Sequence, residues 1–412
     1  MMKAKPFVAL TLSVLVGLLA LSGAAFARDE ENRNLHGQEN REKTIPEDVN
    51  PGLNHLLDLV TPGKAESLDM QAVKPVLDFV ASDKSPDDIF VADNSFGAPS
   101  AYIEVDLNQS LEDLLQISYN PDIPAYLLTP SSMRLGYWKT VSQGKESYAN
   151  LWERLSGLTD PILVRGVETV ENTPDIHTGA YYKYDLDRLL ILFKYQGRNV
   201  FLSLSRQKDR SDVGKKGIVL GDDKDWNYLY SGEKGINKFG LGWVDSYMYE
   251  SSSIIVYYES EPGKPRLRCA VFKWLKAGWK NINMVKSHHI YNGMQRWAKD
   301  YKTIVEHPNF PGSASLVNAW TQIEAIDVEE LKRVNHLYYQ SLQKRYADDD
   351  AVSSRWAAGV LEDESRIDQC NVHELRSVVV IEYLKSVLGK PYEVDVLSRY
   401  GLDSGKIKLS RN

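Results

Sequence analysis

Apolar positions along this 412-residue chain change their period twice. Between Gly52 and Val80 they recur at helical spacing. Leu53, Leu56, Leu57 and Val60 mark one segment, and Val73, Val76, Leu77 and Val80 a second, with the Thr61-Pro62-Gly63 break between them. Pro75 places the start of the second helix at that residue, since proline fits a first turn and disrupts an interior. From Tyr102 the period becomes two: Tyr102-Ile103-Glu104-Val105-Asp106-Leu107 alternates as a half-buried strand does. Ser110, with Asp113 three residues later, predicts a capped helix carrying Leu111, Leu114 and Leu115.

Strand-like segments follow near Ala125–Leu128, Ser132–Lys139, Ile162–Val170 and Gly179–Tyr184, with a short helix around Ser147–Leu155 among them. Leu189–Tyr195 and Val200–Arg206 are joined by the hairpin turn Gln196-Gly197-Arg198-Asn199. Further strands lie near Lys238–Tyr249, Ser253–Ser260 and Arg266–Leu275, the last two flanking Glu261-Pro262-Gly263-Lys264-Pro265. A long amphipathic helix is predicted from Met284 to His307, with Asn283 as its cap and Ile290, Met294, Trp297, Tyr301 and Ile304 in one stripe. The period stays helical beyond it. Leu316–Ile323 forms one segment; Asp327 with Glu330 caps another, carrying Leu331, Val334, Tyr338 and Leu342, which the Asp348-Asp349-Asp350 run breaks. Asn371 with Glu374 caps a last one, which packs Leu375, Val378, Val379 and Tyr383 and stops at Gly389.

The first 27 residues have a different character. Lys3 and Lys5 precede an apolar run from Phe7 to Leu21, and small residues lead to Ala25 and Ala27 before the chain turns polar at Arg28. This is the pattern of a cleaved secretion signal, with a run too short for a spanning helix. The expectation is an exported protein, periplasmic or extracellular. The net charge of −7 becomes −9 once a leader holding two lysines and no acid is removed, which argues against nucleic acid as a partner. The predicted organisation is a signal peptide (1–27), a flexible charged lead-in (28–50), a helical N-terminal segment (51–98), an α+β domain (99–308) and a helical module (313–412).

Motifs that carry chemistry are few. His288-His289 is the most noticeable pair: a polar handle at a cavity mouth or a general base on one reading, part of a solvated helix face on the other. Adjacent helical residues point about 100° apart, so the pair does not readily share a metal. Asp222-Asp223-Lys224-Asp225 fails the calcium-loop pattern in either frame and reads as a solvated turn. The segment from Arg206 to Lys216 could meet an anionic headgroup or a membrane surface, although Asp209 and Asp212 dilute its charge. Gly240-Leu241-Gly242-Trp243 lacks the helix that a dinucleotide fingerprint requires. Cys269 and Cys370 could pair as a disulfide in an oxidising compartment, or stay as two separate thiols with Cys269 buried in a strand. No cofactor and no metal site is expected.

In its order of elements, and in the opening segment Ile103–Leu115, the region from about 100 to 307 resembles START and related polyketide-cyclase-like helix-grip domains. The resemblance implies an α+β fold in which a curved antiparallel sheet is gripped by a long C-terminal helix, here with helical N- and C-terminal extensions. It also implies an apolar cavity for a lipid or other hydrophobic small molecule. The family includes catalytic members, so the fold alone does not settle function. On the strand after Ser253, Ile254, Val256 and Tyr258 point one way and Ile255 and Tyr257 the other. Ile254, Val256, Tyr258, Met294, Trp297, Tyr301, His288 and His289 are the expected ligand-contacting set. The rival functions are a non-catalytic envelope scaffold that docks through the C-terminal module, and a cyclase or hydrolase using one of the two histidines as base.

Overall fold

The structure is a computed structural model describing residues 41–84, 88–92, 97–141, 150–174, 179–238, 242–261, 263–347, 360, 363 and 365–405. The predicted leader, the lead-in as far as residue 40, Ser147 to Ala149 of the expected short helix, Gly240-Leu241 and Asp348-Asp349-Asp350 lie outside these residues.

The lead-in ends earlier than its charge suggests. Strand β1 (Arg41–Thr44) is already part of the fold, followed by α1 (Asn50–Val60) and α2 (Met70–Ala81). Helix α2 begins five residues before Pro75, because Asp69 accepts hydrogen bonds from the amides of Gln71 and Ala72 and fixes the start there. The helices approach closely at Gly52, where a Cβ would stand 2.3 Å from the Ala72 carbonyl oxygen. Strands β2 (Asp88–Val91) and β3 (Ser100–Leu107) follow, then α3 (Leu111–Ser118) with the predicted Ser110/Asp113 capping box. Ala125–Leu128 is a 3-10 turn rather than a strand, and its Tyr126, Leu127 and Leu128 are all buried, an arrangement that alternation could not produce.

The central strands are β4 (Met133–Val141), β5 (Ile162–Asn172), β6 (Ala180–Tyr181), β7 (Lys183–Tyr195), β8 (Arg198–Gln207), β9 (Lys215–Val219), β10 (Tyr228–Lys234), β11 (Ile236–Lys238), β12 (Gly242–Val244), β13 (Tyr247–Glu259), β14 (Leu267–Trp279) and β15 (Ile282–Asn283). The β7–β8 hairpin turns on Gln196 and Gly197 alone, both at positive φ (49° and 76°), which matches the twist of the flanking strands. Then come α4 (Ser287–Val305), α5 (Ser313–Glu324), α6 (Val328–Arg345), α7 (Ser365–Asp368), α8 (Val372–Leu388) and α9 (Val396–Tyr400). Asn283 does not cap α4. Its Oδ1 accepts from the amides of Ala277 and Val285 at 3.2 and 3.1 Å, holding the β14–β15 turn, and the helix starts four residues later.

A ten-stranded sheet dominates, in the order β1-β2-β3-β14-β13-β8-β7-β5-β4, with β15 added beside β14. Among the described residues, only β1 and β2 pair in parallel. Smaller sheets hold β10-β9-β6 and β11-β12. The protein is therefore α+β with a large, mostly antiparallel sheet between layers of helices. Helices α1 and α2 cover one face (the back), where Leu53, Leu56, Val73 and Leu77 meet Leu189, Ile191, Leu202, Leu204, Ile254, Val256 and Phe272. Every one of these is within 1% of complete burial. At about 1.5–3 kcal/mol per buried large aliphatic or aromatic side chain, this face is a main stabilising layer. The N-terminal segment is thus a structural half of the sheet domain rather than an appendage. On the front face, α3, α4 and the C-terminal helices share one continuous core with the sheet.

Candidate functional site

Strand register arranges the front face in rows. One row crosses the sheet as Val105, Cys269, Tyr257, Phe201, Leu192 and Ile162. The next runs Ile103, Val271, Ile255, Ser203, Leu190 and Val164. A third runs Ala101, Lys273, Ser253, Ser205, Arg188 and Gly166. The face thus grades from apolar to polar along the strands. Its third row sets Ala101, Ser253, Ser205 and Gly166 among two long cations; the first three are buried, and Trp138 packs where a Gly166 side chain would stand.

The apolar end is sealed. Tyr119, just after α3, lies edge-on to Phe201 with ring centroids 4.5 Å apart, and its hydroxyl donates to that of Tyr257 at 3.4 Å. Tyr301 of α4 stacks on Trp297 at 5.7 Å and shares a hydrogen bond with Ser118 at 2.7 Å. Burial pushes the Cys269 thiol and the Tyr257 and Tyr301 hydroxyls up from their usual ranges, so none of them ionises near neutrality.

The polar end is different. Arg188 Nε donates to Glu168 Oε2 at 2.8 Å, Nη2 donates to the same oxygen, and Nη1 reaches Ser203 at 3.3 Å. Burial works against the guanidinium charge, but Glu168 holds its pKa above the usual value. Ser205 and Ser253 share a hydrogen bond at 2.7 Å. Lys273 Nζ donates to Ser251 at 2.7 Å, and no carboxylate lies within ion-pair distance of it among the described residues. Burial, and then the nearby charge of Arg188, lower the Lys273 pKa to about 8. Tyr184 also bonds Ser251; burial, then Glu168, push its hydroxyl up to about 12.

Ile255, Leu275, Val164, Lys273 and Arg188 remain partly exposed although they sit on inner strands of the sheet. Ile254, beside Ile255, and Trp274, between Lys273 and Leu275, point to the back face and are 0% and 2% exposed, whereas Leu163 and Arg165 beside Val164 are themselves partly exposed. This half-open polar and aliphatic surface is the candidate site.

The residues expected from sequence do not share one chamber. Ile254, Val256 and Tyr258 face the back and pack in the α1–α2 core. Met294, Trp297 and Tyr301 lie on the opposite side of the sheet, where α4 meets the sealed end of the front face. His289 Nδ1 accepts the Lys286 amide at 3.2 Å at the helix start, and its ring contacts that of His288 at 4.0 Å. Both cysteines are free thiols, Cys269 wholly buried on β14, so the structure holds no disulfide between them. Lys273, Arg188 and Glu168 were not singled out from sequence. The available signal was a charged residue at a core-facing position of an otherwise apolar strand, as in Cys269-Ala270-Val271-Phe272-Lys273-Trp274.

Other charged groups close on themselves. Arg134 meets Glu171 at 2.6 Å and Glu374 at 3.4 Å, with Tyr230 3.9 Å beneath it, tying β4 and β5 to α8. Lys385 and Glu382 of α8 are fully buried 2.9 Å apart, and Lys385 also reaches Asn227 at 2.5 Å. Asp223, from the turn with calcium-like spacing, instead pairs with Arg296 on α4. In the basic segment, Lys208 pairs with Asp187, Lys216 with Glu233, and Arg210 lies over Tyr247. Among the described residues no group of three or more His, Cys, Asp or Glu is arranged to hold a metal, and no helix is long and apolar enough to cross a membrane. The large exposed apolar side chains of the described residues, Ile282, Val328, Leu337 and Tyr392, are scattered and form no patch; Val328 and Leu337 fall on opposite sides of α6.

No family model matches the chain, and no curated protein or solved structure is similar to it.

Proposed function

We propose that this is an exported binding protein that holds a hydrophobic small molecule or lipid on the front face of its sheet, with α4 gripping that face as in a helix-grip domain. The observation that carries the reading is the partial exposure of Ile255, Leu275 and Val164 on inner strands, most marked at Ile255, whose back-face neighbours Ile254 and Val256 are fully buried. Aliphatic surface left open in the middle of a sheet is costly in water and is relieved by an apolar ligand.

The test uses the protein from Arg28 onward, purified from its native compartment without detergent. Native and denaturing masses are compared, and the protein is extracted with organic solvent. A stoichiometric hydrophobic molecule supports the reading. A protein that is empty and binds no fluorescent lipid probe overturns it.

A further inference from the structure

The β14–β15 hairpin runs past the strands beside it. On β14, Trp274 is opposite Ser100, the first residue of β3, and Gly278 is opposite Tyr247, the first residue of β13. Trp279 and Ile282 lie beyond both and pair with each other. Lys280 and Asn281 make the turn, both at positive φ (48° and 62°), as a tight two-residue hairpin requires. The Tyr249 hydroxyl accepts the Asn281 amide at 2.8 Å and ties the turn to β13. Residues directly opposite in an antiparallel pair share a face, so Trp279 and Ile282 stand side by side. Ile282 is 61% exposed, more than any other large apolar side chain among the described residues. Trp279 is partly exposed, with Lys280 Nζ 4.6 Å from its ring centroid. By strand alternation this is the front face, where the partly exposed Leu275 and Ala277 lead along β14 to the tip. The charge here is one-sided along the chain. No Asp or Glu occurs between Glu261 and Asp300, a stretch with nine Lys and Arg in a chain of net charge −7. Lys280 on the turn and Lys286 just after the hairpin are exposed. Lys276 points to the back and pairs with Glu250 at 3.6 Å. Beside the tip, Arg210, which lies over Tyr247, and the exposed Asp245 carry opposite charges.

We propose that this hairpin tip docks the protein on an anionic lipid bilayer, with Ile282 and Trp279 entering the headgroup region and Lys280 and Lys286 meeting lipid phosphates. A tryptophan beside an aliphatic residue suits that depth, because the apolar surface leaves water while the indole N–H keeps a polar partner. Lysines at the rim meet the negative surface potential, each strengthening binding about fivefold, and burying the exposed part of Ile282 adds about tenfold. Contacts of this size give a reversible association, far short of the hold of a spanning helix. The docking does not depend on a ligand on the front face.

The experiment is flotation of the protein from Arg28 onward, at low salt, with two kinds of vesicle: phosphatidylcholine alone, and phosphatidylcholine with phosphatidylglycerol at a ratio of about two to one. The expected result is binding to the anionic vesicles about tenfold more tightly than to the neutral ones. Ile282→Ser should weaken that binding about tenfold and Lys280→Glu by about fivefold or more, with the unfolding midpoint unchanged because both side chains are exposed. Ile282→Trp should strengthen it, which separates loss of membrane contact from loss of fold. Equal binding to the two kinds of vesicle, no binding to the anionic ones, or binding that Ile282→Ser and Lys280→Glu leave unchanged overturns the docking. Self-association that Ile282→Ser abolishes, in a protein that does not float with vesicles, also overturns it and makes the tip a contact between copies of the chain.

Discussion

The two faces of the ten-stranded sheet are built from the same strands and differ in how far each is closed. On the back, Ile254, Val256, Leu202, Leu204, Leu189 and Ile191 are all fully buried beneath two short helices. On the front, the sequence position next to Ile254 is the partly exposed Ile255, and the position next to Phe272 is Lys273. Strand alternation sends neighbours to opposite faces, so one strand carries both a stability-bearing surface and a surface left open. The back is where the fold is held; the front, at its polar end, is the less completely closed of the two.

Substitutions at matched positions test that division. Phe272 packs on Tyr102 and Phe79 with centroids 4.7 and 6.2 Å away; Phe272→Ala should lower unfolding stability by about 3–5 kcal/mol in chemical denaturation. A loss below about 1 kcal/mol would mean the back face is not the tight layer described. The pair Ile254→Ala and Ile255→Ala is the most direct contrast. The first should cost about 2–4 kcal/mol, and the second less than half as much, because its site already admits solvent. Equal costs would erase the distinction between faces. Gly52→Ala should cost about 1–3 kcal/mol by forcing α1 away from α2 at the Ala72 carbonyl.

Lys273→Met should act in the opposite direction. The lysine titrates near 8 in the folded protein against 10.5 ordinarily. Between those values the unfolded chain binds more protons than the folded one, so stability rises with pH across that window. Below about pH 8 both states are protonated and the cost of burying the ammonium is fully present. Removing the charge should therefore stabilise the protein at neutral pH by about 1–2 kcal/mol, less than the full shift because part of the side chain meets water. The rise in stability between pH 8 and 10.5 should flatten. A variant that is less stable at neutral pH, with the pH dependence intact, would show that Lys273 is a structural group rather than an uncompensated charge.

The legible part of this fold came from local rules. The capping residues Ser110, Asp327 and Asn371 lie where the sequence predicts, because a cap depends on a side chain and amides two or three residues away. The β7–β8 hairpin was readable for the same reason, as was the stripe on α4, whose Ile290, Met294, Tyr301 and Ile304 are buried as expected. Local rules misled where a tertiary partner took over a residue's chemistry. Asn283 went to the β14–β15 turn, and Asp223 met Arg296 on a helix more than seventy residues away, whereas at α2 one local rule beat another, the Asp69 cap outweighing Pro75.

The candidate site belongs wholly to the second kind. The sequence determined that Ile254 and Ile255 point in opposite directions, because the strand period is set by the backbone itself. It could not determine which direction meets a helix, because α1 and α2 are nearly 200 residues away along the chain and nothing local says which face they cover. Nor could it align Lys273 with Ser253, Ser205 and Arg188, since that row exists only once four strands have paired in register. The period of each element is a property of its own residues, whereas burial, charge balance and the opening between elements belong to the whole assembly of strands and helices.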